Sequence, residues 1–132
     1  HVLLVEDDAI VAAVIRGQLE RQNHRVCYVA NGLGALAELD QSHFDAMLLD
    51  LDLPGVDGFQ VARLIRQREE PDRRIPIVAI TARAGGNEEA RAHEAGMDAF
   101  LRKPFSGEDL AELFVELVPE PEAPAPAVTD PA

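Results

Sequence analysis

The sequence holds a single cysteine, no tryptophan and one tyrosine. One cysteine cannot close an internal disulfide, so a secreted scaffold stapled by disulfides is excluded. Cys27 lies in the apolar run Val26-Cys27-Tyr28-Val29 and reads as a small buried hydrophobe rather than a reactive thiol. Basic residues are scarce: 12 stand against 24 acids, for a net charge of −12, and aromatics make up 5% of the chain. This argues against nucleic acid as a direct partner, because phosphate backbones are gripped by clustered Lys and Arg, and no basic patch with aromatics exists. Long hydrophobic runs are missing too. None approaches the ~20 residues needed to cross a bilayer, and no signal-peptide-like stretch precedes the first strand-like segment. A soluble, cytoplasmic domain is expected, with no membrane contact of its own even if a larger parent is anchored.

What is present is an ordinary globular mixture, 47% hydrophobic and 27% charged over 132 residues, sized for one core. Five short apolar runs alternate with segments of helical period. Val2 to Val5 reads as a strand. A helix from about Ala9 to Arg21 follows, with Ile10, Val11, Val14, Ile15 and Leu19 forming one stripe. Arg25 to Ala30 reads as a second strand, Asn31-Gly32 as a turn, and Leu33 to Leu39 as a short helix. Ala46 to Leu49 is a third strand. The loop Leu53-Pro54-Gly55-Val56-Asp57-Gly58 then leads into a helix carrying Phe59, Val61, Leu64 and Ile65. Ile77 to Ile80 is the fourth strand. Asn87 to Glu94 forms a thin helix whose apolar residues are mostly alanine, ended by Gly96. Ala99 to Leu101 is the last strand, and Leu110, Leu113, Phe114 and Leu117 line the last helix.

Strands buried on both faces and alternating with helices imply βαβ units, a parallel sheet and right-handed crossovers with helices on both faces. The tail from Pro119 has no periodicity and reads as an extended Pro/Ala-rich linker, leaving residues 1–118 as the folded domain. Both ends suggest a domain cut from a longer protein.

In an open parallel sheet, ligands bind beyond the carboxyl ends of the strands. The first strand ends in Glu6-Asp7-Asp8, the third in Asp50, the fourth in Thr81 and the fifth in Lys103-Pro104. With the first and third strands adjacent, Glu6, Asp7 and Asp50 converge. Two unit charges ~5 Å apart repel by about 3 kcal/mol at an effective dielectric of ~20, so such a cluster either raises its own pKa values or recruits a cation. Hard oxygen donors with no His or Cys nearby favour Mg²⁺. Lys103 brings a second positive charge and Thr81 a hydroxyl donor, a set suited to a transferring phosphoryl group. Each residue alone is ordinary; the ordered set at successive strand ends is not. The histidines His1, His24, His43 and His93 read as surface residues.

These motifs, Leu-Leu-Val-Glu-Asp-Asp, Leu-Leu-Asp-Leu-Asp-Leu-Pro-Gly-Val-Asp-Gly, Ala-Ile-Thr-Ala and Leu-Arg-Lys-Pro-Phe, resemble those of response-regulator receiver domains. The resemblance covers residues 1 to about 118. It implies a flavodoxin-like (βα)5 fold, a five-stranded parallel sheet in the order 2-1-3-4-5. It implies Asp50 as phosphoacceptor, Asp7 as a direct Mg²⁺ ligand, Glu6 as a ligand acting largely through water, and Asp52 as a backbone carbonyl ligand. Lys103 would contact the phosphoryl group, Thr81 would move toward it, and the Lys103-Pro104 bond would be cis. Phe100 would be an aromatic switch, where many relatives carry tyrosine. Expected partners are a histidine kinase or a histidine phosphotransfer domain, with a second copy of the chain as an option. The run Ala95 to Pro104 is most similar to receivers attached to hybrid histidine kinases. Such a domain is a signalling module that catalyses its own aspartyl phosphorylation and dephosphorylation, not an enzyme with a separate substrate.

One acid and one base invite a tuning role. Asp52 and Arg83 follow Asp50 and Thr81 by two residues, and their side chains would approach across the site mouth and restrict attacking water. Two other readings stay open. Asp50-Leu51-Asp52 is the Asp-x-Asp of haloacid-dehalogenase-type phosphatases, although it follows the third strand rather than an early one. A receiver fold used only for protein binding is the other, against which the complete site argues.

Overall fold

The computed structural model describes residues 1–53, 58–69, 74–82 and 87–117. Its elements run β1 (Val2–Val5), α1 (Ala9–Arg21), β2 (Val26–Val29), α2 (Gly32–Gln41), β3 (Ala46–Asp50), α3 (Gly58–Arg68), β4 (Ile77–Thr81), α4 (Glu88–Glu94), β5 (Ala99–Arg102) and α5 (Gly107–Leu117). All strand pairs are parallel, in the expected order β2-β1-β3-β4-β5. Among the described residues no helix is long and apolar enough to cross a membrane.

The central strands β1, β3 and β4 are buried throughout, because helices cover both faces. Alternate side chains separate into two cores. Leu3, Val5, Met47, Leu49, Ile77 and Ala79 pack with Ala35, Phe59, Ile65 and Ala92 of α2, α3 and α4. Leu4, Leu48, Val78 and Ile80 pack with Ile15, Leu19, Leu110 and Phe114 of α1 and α5. The flanking strands β2 and β5 are only half-buried, so the expectation of strands buried on both faces holds for the central three. Cys27 is accordingly half-buried, against the first core, and burial raises its thiol pKa.

Three sequence-level expectations change. On α1 the buried stripe is Ala12, Ile15, Gln18 and Leu19, while Ile10 and Val14 stand 79% and 58% exposed. The apolar pattern is wider than the face that meets the sheet, and small Ala12 is part of the buried face. Asn31-Gly32 is no separate turn; Asn31 caps α2 by accepting the Gly34 N–H at 2.7 Å, which starts the helix earlier. His24 and His1 are half-buried: His24 packs edge-on against Phe114, which lowers its pKa by burial, and His1 lies against Phe44.

The α4–β5 turn is tied to α3. Gly96 follows the end of α4 with φ +97, a left-handed conformation suited to glycine. Its carbonyl accepts the Arg66 Nε–H at 2.8 Å, and Arg66 also pairs with Glu69 and Asp98. Arg91 of α4 lies over the Phe59 ring at 4.3 Å. Arg83, Pro54 to Asp57 of the β3–α3 loop, and the tail from Pro119 lie outside the described residues.

Candidate functional site

The register of the sheet builds the site. Val5 of β1 pairs with Leu49 of β3, so Glu6 and Asp50 emerge side by side at the carboxyl edge. Asp50 pairs with Ile80, which places Thr81 one residue beyond it on β4. Thr81 in turn pairs with Arg102, and its carbonyl accepts the Lys103 N–H at 2.8 Å. The Lys103-Pro104 peptide is cis, as the resemblance implied.

Carboxylate oxygens of Glu6, Asp7 and Asp50 lie within 4.8 Å of one another. Glu6 and Asp50 are each 1% exposed, whereas Asp7 faces solvent. Asp8, third in the acidic run, points elsewhere: its Oδ1 accepts the N–H groups of Ile10 and Val11 and caps α1. The Lys103 ammonium bonds Glu6 Oε1 at 2.8 Å and stands 3.6 Å from Asp50 Oδ2. Asp50 Oδ1 accepts the Asp52 N–H at 3.0 Å. The Thr81 hydroxyl donates to Asp52 Oδ2 at 3.2 Å.

Electrostatics follow from this crowding. Burial, assisted by the adjacent Glu6 carboxylate, pushes the Asp50 carboxyl up to about 7, with the Asp52 N–H and the Lys103 charge pulling the other way. For Lys103, burial disfavours the ammonium, but hydrogen bonding and charge from Glu6 and Asp50 overcome it and raise its pKa. A buried carboxyl whose charge is disfavoured, amid oxygen donors, fits a site for a hard divalent cation. All donors are oxygens, as Mg²⁺ prefers, and a cation would return Asp50 to its charged form.

Several supports were invisible in the sequence. Gln18 of α1 donates through Nε2 to the Phe105 carbonyl at 3.0 Å, and Gln22 donates to the Gly107 carbonyl at 2.8 Å. These bonds hold the segment after Lys103-Pro104 against α1. Gly58 begins α3 directly behind the acceptor strand; a Cβ there would lie 2.6 Å from the Asp50 carbonyl oxygen. Its place at the end of a Gly-rich loop was the one available hint. Phe100 is half-buried against the first core and borders a pocket of about 470 Å³ shared with Ala90, His93 and Met97.

Residues 2–114 match the family described as the response regulator receiver domain. The chain belongs to that family. This receiver domain is 39% identical over 118 residues to the transcriptional regulatory protein TcrA of Mycobacterium tuberculosis, covering 89% of this chain and 44% of TcrA. It is 37% identical over 118 residues to the sensor histidine kinase GacS of Pseudomonas protegens, covering 88% of this chain and 13% of GacS. The chain thus spans less than half the length of these curated relatives. Among solved structures, the receiver domain of the sensor histidine kinase PA1611 from Pseudomonas aeruginosa superposes with a TM-score of 0.80 at 36% identity. That alignment covers 89% of this chain and 95% of that one, and that structure carries a magnesium ion coordinated in its active site cleft. Family and strand order together retire the phosphatase reading of Asp50-Leu51-Asp52. The chain is a receiver domain of two-component systems, a phosphoacceptor module of signal transduction.

Proposed function

We propose that Asp50 accepts a phosphoryl group from a phosphohistidine of a histidine kinase or histidine phosphotransfer protein. One Asp50 carboxylate oxygen attacks phosphorus, a P–O bond forms as the P–N bond breaks, and the electron pair leaves with the imidazole. The observation that carries this reading is the buried acceptor itself: Asp50, 1% exposed, between two further carboxylates and a lysine at the carboxyl edge of the sheet.

Glu6, Asp7, Asp50 and the Asp52 carbonyl would hold Mg²⁺, with Glu6 acting largely through water. The ion supplies charge neutralisation for the phosphoryl oxygens when bound. Lys103 sits within reach of both Glu6 and Asp50 and would transfer its ammonium contact to a phosphoryl oxygen. Thr81 would donate its hydroxyl to another. The reverse loss of phosphate, by attack of water on phosphorus, would complete the cycle of the module's own catalysis. Asp52 and Arg83 would tune that step by restricting the water. Phe100 would carry the change outward, since the adjoining pocket gives its ring room to move. A second copy of the chain is a further partner at that output face, and both regulator-type and hybrid-kinase-type parents agree with the relatives.

Incubation with Mg²⁺ and acetyl phosphate, followed by intact-mass and peptide mass spectrometry, tests the assignment. One phosphoryl group on the peptide containing Asp50, lost in Asp50→Asn, is expected. Label on another residue, or undiminished label in Asp50→Asn, would overturn it.

A further inference from the structure

In this receiver the Thr81 hydroxyl is already engaged. It is fully buried and donates to the carboxylate of Asp52, itself an exposed residue. Asp52 touches the acceptor as well, through its N–H on Asp50 Oδ1. One residue therefore bridges the phosphoacceptor and the hydroxyl that a phosphoryl group would need. The main chain of Thr81 is held from the neighbouring strand by the Lys103 N–H. The hydroxyl can reorient by rotation about χ1, between the discrete staggered positions of a β-branched side chain.

We propose that Asp52 is a positioning residue that parks the Thr81 hydroxyl away from the phosphoryl site and so biases the unphosphorylated domain toward its resting state. The inference rests on the acceptor role of Asp50. Transfer then exchanges one charged acceptor of the Thr81 hydroxyl, the Asp52 carboxylate, for another, a phosphoryl oxygen. Deleting the Asp52 carboxylate leaves a buried hydroxyl short of that acceptor and raises the free energy of the resting state alone. The Asp52 carbonyl, a candidate metal ligand, survives the substitution because it belongs to the main chain. Both residues make other contacts, so the shift is moderate.

The test is a beryllofluoride titration of the whole chain in saturating Mg²⁺, followed through methyl NMR signals including that of Thr81. Asp52→Ala should tighten binding about fivefold, the equivalent of ~1 kcal/mol. Asp52→Asn retains a neutral acceptor and should fall between the parent and Asp52→Ala. In a Thr81→Ala background the effect of Asp52→Ala should vanish. An unchanged affinity in Asp52→Ala overturns the proposal. So does an equal gain in both backgrounds, which would mean simple relief of repulsion between Asp52 and the anion. A parent that does not bind beryllofluoride, or an Asp50→Asn variant that binds equally, overturns the acceptor reading and this inference with it; a parent that binds through Asp50 leaves only the parking role at stake.

Discussion

Replacing Asp50 with asparagine should stabilise the metal-free domain, and should do so more at high pH than at low. The folded domain holds this carboxyl at about 7 against an ordinary 3.8. A carboxyl raised on folding binds its proton more tightly in the native state, so its contribution to stability is full below about pH 4 and declines as pH rises through 7. Moved over that whole range, the loss corresponds to ~4 kcal/mol. Glu6 and Lys103 readjust to the neutral side chain in the variant, which brings the expected figure to about 2 kcal/mol. Asparagine keeps the shape and can still accept the Asp52 N–H, but carries no charge to desolvate. Urea denaturation in EDTA should therefore find Asp50→Asn about equal to the parent near pH 4 and ~2 kcal/mol more stable at pH 8. In thermal melts at pH 8 that is a gain of roughly 6–10 °C. Titrating groups remote from the site cancel in the difference between variant and parent. Added Mg²⁺ should reverse the order, because a ligand that binds only the folded parent stabilises it by mass action. A variant no more stable than the parent at pH 8, or a difference that ignores pH, would refute the electrostatic account of Asp50.

Lys103→Ala removes the partner of the buried Glu6 and should cost about 3 kcal/mol in urea denaturation without metal, with Mg²⁺ restoring part of the loss. Gly58→Ala pushes a methyl group against the Asp50 carbonyl; a loss of ~2 kcal/mol together with slower phosphorylation by acetyl phosphate is expected, whereas Gly17→Ala, inside α1 and meeting only the Arg21 side chain, should stabilise by about 0.5–1 kcal/mol and leave phosphorylation unchanged. Arg83→Ala should shorten the lifetime of the aspartyl phosphate severalfold in a phosphate-release assay, and an unchanged lifetime would sink its tuning role.

How far the sequence could be read depended on whether the deciding interaction is local or distant. Glu6, Asp7, Asp50, Thr81 and Lys103 were legible because each follows a recognisable strand, and parallel topology gathers strand ends at one edge. Asp8 stands in the same acidic run, and the start of α1 claims its carboxylate as a cap. On α1 the pattern gave the helix but not its rotation, since Ile10 and Val14 are as apolar as the residues that are buried. The pairing of Lys103 with Glu6 spans 97 residues, and the Gln18 and Gln22 anchors span 87 and 85. Nothing in local composition marks a glutamine on a helix as the support of a distant loop. The contact between Thr81 and Asp52 likewise depends on how two adjacent strand ends lie, not on spacing in the chain.

The resting contacts also constrain how a phosphoryl group could act at a distance. Both groups that would receive it are occupied: Lys103 lies closer to Glu6 than to Asp50, and Thr81 is on Asp52. Phosphorylation on this account trades partners, so the free energy available to move the output face is a difference between similar bonds, a few kcal/mol at most. Such a difference cannot rearrange β1, β3 or β4, whose side chains are fully packed from both faces. It can act where packing is thin. Helix α4 buries only Glu88 and Ala92, and beside it lies the pocket that Phe100 borders. Thr81 ends β4, the strand paired with the Phe100 strand, so rotation at Thr81 is felt first on this side of the sheet. On the far side of the α4–β5 turn, the links from Arg66 to Gly96 and Asp98 tie that end of the unit to α3. The response should therefore be confined to α4 and the adjoining part of β5, pivoting on a turn that does not move.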